Sequence, residues 1–182
     1  MNEKRGQVHF PPRKVNLSPF LVLLLPALIA CSEGVSPQAR SASLAEVREA
    51  LKPRGKPLVV NHWATWCQPC VEELPMFARM ARNFAGKADF LGISWDLFAE
   101  NPGKTAAESS VRALSEKAGI PYDSLLSEGD AEALGEMLGL KSLVIPQTWI
   151  YSREGKVIRT FEGIETEEDL REFQGAIEQA VR

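Results

Sequence analysis

Residues Leu58–Pro75 read LVVNHWATWCQPCVEELP. The run Leu58–Trp63 is almost continuously apolar, which predicts a strand buried on both faces. A short turn follows, and Cys67 and Cys70 then arrive where a helix begins. The order strand, Cys-X-X-Cys, helix has a chemical consequence. The first N–H groups of a helix point beyond its end, and their partial positive charge favours a thiolate, the reactive form. Two cysteines three apart can close a small disulfide ring and reopen it through a mixed disulfide. The spacing therefore predicts thiol–disulfide exchange, with Cys67 attacking and Cys70 resolving. Half of a zinc site would require a second cysteine pair, which the chain lacks. A purely structural disulfide across so short a loop would constrain the unfolded chain little.

The chain has 182 residues, enough for one domain with a short appendage and a sizeable core. A net charge of −3 offers no overall basic field for nucleic acid and no polybasic membrane patch. Two of the three cysteines form the motif, and Cys31 needs a separate account. Lys4, Arg5, Arg13 and Lys14 precede the apolar run Phe20–Ala30, FLVLLLPALIA. That run is short for a bilayer span and contains Pro26, so it reads as the apolar region of a signal peptide. It ends in Leu28-Ile29-Ala30-Cys31, which resembles the lipobox of bacterial lipoproteins. The resemblance implies cleavage before Cys31 and lipid on its sulfur and amine; an ordinary signal peptide would leave a free thiol there. Removing residues 1–30 takes away four basic groups and Glu3, shifting the net charge from −3 to −6.

Residues 31–43 then read as the lipidated cysteine and a flexible tether, small and polar with one proline, leading to a domain over residues 44–182. Ser43 with Glu46 predicts a capping box for a helix over Leu44–Leu51. From Pro57 onward strands and helices alternate, the pattern of an α/β domain. The helix after Cys67 is expected to run to about Phe84, burying Val71, Leu74, Phe77, Ala78, Ala81 and Phe84, with a kink at Pro75. A strand over Phe90–Trp95, a loop at Asn101-Pro102-Gly103 and a helix over Glu108–Ala118 follow. Leu125–Leu126 suggests a short extra strand, and Asp130 caps a helix ending before Gly139. Ser152-Arg153-Glu154-Gly155 joins Thr148–Tyr151 to Val157–Phe161 as a hairpin. Thr166 and Asp169 then cap a final helix reaching about Val181.

From about Val47 to the C-terminus the chain resembles the thioredoxin-like thiol–disulfide oxidoreductases of the TlpA/ResA kind. The residues that carry this are Asn61, Trp63-Ala64-Thr65-Trp66-Cys67-Gln68-Pro69-Cys70, Glu73 and Pro75, then Ile145-Pro146-Gln147-Thr148, Gly155 and Gly163. The resemblance implies a thioredoxin fold, a central mixed sheet flanked by helices, with an inserted αβ segment at about Ser109–Leu126. It implies no cofactor and no metal. Pro146 is implied to be a cis-proline beside the cysteine pair, leaving the Ile145 backbone free to pair with an extended substrate segment. Trp63 and Trp66 wall the site in this comparison, although Trp63 fits core packing equally well.

Thioredoxins bury an aspartate where this chain has Asn61, and an amide cannot take a proton from Cys70. Glu73 lies about one helical turn beyond Cys70, and a partly desolvated carboxylate there could exchange protons with the thiols. Its neighbour Glu72 reads as a solvated carboxylate, and His62 as a hydrogen-bonded core histidine. The expected catalytic residues are thus Cys67, Cys70 and Glu73, with Trp66, Ile145 and Pro146 contacting substrate and Cys31 carrying lipid.

The function expected from the resemblance is reduction of partner-protein disulfides on the periplasmic or extracytoplasmic face of a bacterial membrane. The partners would be a disulfide-bearing client and an upstream thiol electron donor, for example in supplying thiols for haem attachment during cytochrome c maturation. A disulfide oxidase of the same fold and a noncatalytic chaperone lipoprotein are the alternatives. A peroxiredoxin would attack peroxide directly, which the tryptophan-rich approach to the Cys-X-X-Cys argues against.

Overall fold

In the parallel part of the sheet every strand runs toward the Cys-X-X-Cys end, and this directionality positions the site. The computed structural model describes residues 37–98, 103–139 and 144–182. The strands are β1 (Ala39–Ala42), β2 (Leu58–Trp63), β3 (Asp89–Ser94), β4 (Ser124–Ser127), β5 (Gln147–Tyr151) and β6 (Val157–Phe161). The helices are α1 (Leu44–Ala50), α2 (Gln68–Asn83), α3 (Lys104–Ala118), α4 (Ala131–Leu138) and α5 (Glu167–Val181), with a 3₁₀ turn at Asp96–Phe98. The sheet order is β1-β4-β3-β2-β5-β6. β1, β4, β3 and β2 are parallel, whereas β5 and β6 are antiparallel to their neighbours. This is the expected mixed sheet of the thioredoxin-like fold, with α3 and β4 supplying the inserted segment.

Local signals placed most boundaries. Ser43/Glu46 and Thr166/Asp169 both form complete capping boxes, and Asp130 accepts from the Ala133 N–H. β2 is buried from Val59 through Trp63, in keeping with a central strand. α2 presents Leu74, Phe77, Ala78 and Ala81 to the core and continues through Pro75, which lies on its exposed face. The Phe77 ring packs edge-on against Phe173 of α5 at 5.6 Å, and Phe173 meets Phe161 of β6 at 5.4 Å. Fully burying a ring of this size contributes about 2–3 kcal/mol, so these rings bind α2 and α5 to the sheet.

Two expectations need correction. The segment over residues 31–43 is not tether throughout: Ala39–Ala42 is β1, paired in register with Ser124–Ser127. The domain therefore starts before residue 44. Ala39 and Ala42 are buried, and the Ser41 N–H donates to Glu108 Oε1 at 2.7 Å. Ala39-Arg40-Ser41-Ala42 carries no local strand signal; the strand exists because distant β4 pairs with it. The third helix also starts earlier than Glu108, at Lys104, because Gly103 precedes it without any side-chain cap to mark the boundary. Residues 1–36, with Cys31, and the Asn101-Pro102 part of the predicted loop lie outside the described residues.

Candidate active site

β2 ends at Trp63, and the Ala64–Trp66 turn delivers Cys67 as the N-cap of α2. The Cys67 N–H donates to Ala64 O at 3.2 Å, closing that turn. Cys67 Sγ accepts from the Cys70 N–H at 3.3 Å, so the sulfur occupies the position of a capping oxygen. Pro69 falls in the first helical turn, where a missing N–H leaves no hydrogen bond unmade, and that turn contains no acidic residue. Nothing in the first turn opposes negative charge on Cys67. Cys67 and Cys70 are joined as a disulfide with Cα atoms 5.3 Å apart. Cys67 is 7% exposed and Cys70 only 1%, so an incoming thiolate has better access to the Cys67 sulfur.

A residue that the sequence reading missed holds the turn in place. Asp96, directly after β3 and Trp95, is buried, and its carboxylate accepts from the Thr65 N–H at 3.1 Å and from Ser94 Oγ at 2.7 Å. Thr65 Oγ1 donates to the same carboxylate. The Trp95 backbone N–H donates to Trp63 O at 2.9 Å, so the two residues after β3 hold the chain at Trp63 and at Thr65, between β2 and the cysteines. The Ser94-Trp95-Asp96 sequence carries no motif. Only the parallel pairing of Trp63 with Ser94 brings Asp96 opposite Thr65.

Glu73 is 7% exposed. Its Oε1 accepts from the Ile164 N–H at 2.7 Å, while its buried Oε2 has no hydrogen-bond partner. Desolvation raises its pKa above the usual carboxylate range, opposed by the Ile164 N–H and reinforced by the nearby Glu165 carboxylate. Burial thus favours the protonated form of a carboxyl that lies one turn beyond Cys70. Glu72 is exposed and accepts from Gln68 Nε2, as a solvated helix carboxylate would.

Asn61 is buried beside the Tyr122 hydroxyl, close enough to influence it, although neither group completes a hydrogen bond. Across the sheet Asn61 pairs with Gly92, and Gly92 with Ser124. A Cβ on Gly92 would lie 2.3 Å from Ser124 Oγ and 3.0 Å from Trp63 Nε1, so only glycine fits this row. Trp63 itself is 1% exposed, which makes it a core residue rather than a wall of the site.

His62 is the buried, hydrogen-bonded histidine expected: Nδ1 accepts from Trp95 Nε1 at 3.4 Å, and its ring lies 5.5 Å from that of Trp149. Burial lowers its pKa from 6.5 to about 3. The folded state therefore excludes a proton that the unfolded chain binds below pH 6.5. Its contribution to stability is complete above pH 6.5 and declines as pH falls toward 3, by up to about 1.4 kcal/mol per pH unit. Denaturant unfolding of His62→Phe should lack this part of the acid slope; an unchanged slope would assign it to other groups.

Trp66 is 55% exposed and Val144 54% exposed, both large apolar surfaces. Pro146, preceded by a cis peptide bond, follows half-buried Ile145 and leads into β5. Because Gln147 pairs with His62 near the end of β2, the fold brings Ile145 and Pro146 to the same end of the sheet as the cysteines.

The sequence model of the AhpC/TSA family matches residues 36–160. The thioredoxin of Staphylococcus aureus is 37% identical over 84 residues, covering 44% of this chain and 77% of the relative. Among solved structures, a thiol:disulfide interchange protein of the thioredoxin family from Chlorobium tepidum TLS superposes with a TM-score of 0.55 at 24% identity. It covers 74% of this chain and 84% of that protein. A secreted Mycobacterium tuberculosis disulfide oxidoreductase, homologous to E. coli DsbE, superposes with a TM-score of 0.52 at 17% identity over 72% and 85% of the two chains. At these identities the structures establish a shared fold.

Proposed function

Because the chain belongs to the AhpC/TSA family, as a thioredoxin-like thiol–disulfide oxidoreductase, we propose that it reduces disulfides of partner proteins outside the bacterial cytoplasm while lipid on Cys31 tethers it to a membrane. The observation that carries the redox reading is the placement of Cys67 as the α2 N-cap, disulfide-bonded to the more deeply buried Cys70. In the reducing direction the Cys67 thiolate attacks one sulfur of the partner's disulfide. A mixed disulfide forms, and the departing partner thiolate takes a proton from the Glu73 carboxyl. The Cys70 thiol, after passing its proton to Glu73, attacks Cys67 Sγ. This releases the second partner thiolate, which takes a proton from water, and leaves the Cys67–Cys70 disulfide. Two electrons have passed to the partner, and an upstream thiol donor returns them to the pair. Trp66, Ile145 and Pro146 form the surface on which an extended client segment lies. Clients whose thiols must be free before haem or metal attachment suit this role.

The domain organisation proposed is a leader over residues 1–30, a lipidated tether from Cys31 to about Gln38, and the catalytic domain from β1 onward. Cys70→Ala tests the redox reading. It should accumulate mixed disulfides through Cys67, identifiable by mass spectrometry of captured proteins from the envelope, and the wild-type pair should equilibrate reversibly with a glutathione buffer. A pair that never reduces and a variant that captures nothing would favour a noncatalytic binding module. The wild-type protein should also fractionate with membranes and Cys31→Ala should release or misprocess it; a soluble wild type with Cys31 unmodified would sink the tether.

A further inference from the structure

The charges of this domain are sorted by end. β1, β2, β3 and β4 run in parallel, so Ala39, Leu58, Asp89 and Ser124 mark the end opposite the cysteines. At the redox end the residues that follow β6 and open α5 are acidic: Glu162, Glu165, Glu167, Glu168 and Asp169. Glu72, in the second turn of α2, adds to them. At the opposite end a cleft of about 510 Å³ is lined by Lys52, Arg54, Lys56 and Arg82, against the two acids Asp89 and Asp123. Lys56 lies 3.7 Å from Asp89, Lys52 pairs with exposed Glu49 at the cleft's edge, and Asp123 Oδ1 is engaged by the Gln38 N–H at 2.8 Å. Arg54 is exposed and has no ion pair among the described residues. The floor is apolar, with Phe90 stacked on Tyr122 at 5.7 Å. A protein of net negative charge thus carries a cationic cleft at one end and an acidic rim at the other.

The chain enters the domain at the cationic end. Gln38 hydrogen-bonds to Asp123 of the cleft, and β1 starts one residue later beside Ser124. Six residues lie between Cys31 and Gln38, and the seven Cα–Cα steps reach at most about 25 Å when extended. We propose that the cationic cleft docks on the anionic phospholipid surface to which the chain is tethered, so that the redox end faces away from the bilayer toward its clients. The proposal rests on the tethered reading above for proximity, and on charge complementarity for orientation. Phosphate headgroups meet Lys52, Arg54, Lys56 and Arg82, while the acidic rim is repelled by the same leaflet. Each basic side chain within a Debye length, about 8 Å, of an anionic leaflet favours attachment about fivefold.

The test uses the full-length processed protein reconstituted into vesicles of phosphatidylglycerol or of phosphatidylcholine. Lysines are acetylated briefly and quantified by mass spectrometry, with exposed Lys104 at the start of α3 as the internal reference. Lys52 and Lys56 should be protected about fivefold in phosphatidylglycerol relative to phosphatidylcholine, with Lys104 unchanged. Protection should fade in about 0.5 M salt and in Arg54→Glu, whereas alkylation of reduced Cys67 should be equally fast in both lipids. Equal labelling of Lys52 and Lys56 in the two lipids would overturn the proposal, as would slowed alkylation of Cys67 in phosphatidylglycerol. Equal protection by inorganic phosphate without vesicles would also overturn it, reassigning the cleft to a soluble anion. The anchor is scored separately, by the mass of the Cys31 peptide and resistance to carbonate washing. If the anchor fails, lipid-selective protection on added vesicles still supports docking and its absence still refutes it.

Discussion

Cys67→Ser should lower the rate of disulfide exchange at least about a thousandfold, because a hydroxyl cannot replace a thiolate as the attacking or bridging group. Stability should change little, since serine keeps an N-cap acceptor for the Cys70 N–H. The measurement is reduction of a disulfide-bearing model protein by fully reduced enzyme, with folding checked by circular dichroism. In the reduced wild type, iodoacetamide at neutral pH should modify Cys67 before Cys70. Cys67 is the more exposed of the two and sits at the end of the α2 dipole. Equal or reversed labelling would hand the attacking role to Cys70.

Glu73→Gln should slow exchange by roughly ten- to a thousandfold if proton transfer limits the step, with water replacing part of the function. The pH profile of the thiols should shift as well, because an ionised carboxylate nearby opposes thiolate formation. The stability effect runs in the other direction. Burial raises the Glu73 pKa, so the folded state favours the protonated form. That contribution is complete below the ordinary value of 4.5 and is lost as pH rises through the raised value. Glutamine stays neutral and can still accept the Ile164 N–H through its carbonyl oxygen. Denaturant midpoints of wild type and variant should therefore coincide near pH 4, with the variant more stable near pH 8. Destabilisation at both pH values would make Glu73 a structural residue, and an unchanged exchange rate and thiol titration would end the proton-transfer reading.

Sequence alone determined what depends on near neighbours. The nearly unbroken apolar run Leu58–Trp63 suited a central strand, and Cys67 and Cys70 at the start of the following helix carried their chemistry with them. The Ser43, Asp130 and Thr166 caps fixed helix starts because a cap is a contact over three residues. Ile145-Pro146 was legible through the family resemblance, and the fold puts it at the cysteine end through β5 pairing with β2.

Tertiary structure decided whatever depends on residues far apart in the chain. Ala39–Ala42 becomes a strand only because β4, about 85 residues later, supplies its ladder. Asp96 reaches Thr65 across 31 residues of sequence, and Glu73 meets the Ile164 N–H across 91. A helix pattern could mark Glu73 as a neighbour of Cys70, but its burial and orphaned Oε2 follow from the loop after β6 closing over it. Net charge hid the polarity of the domain for the same reason. Composition sums Lys52, Arg54 and Lys56 with Glu165, Glu167 and Glu168, whereas the parallel sheet carries the two sets to opposite ends.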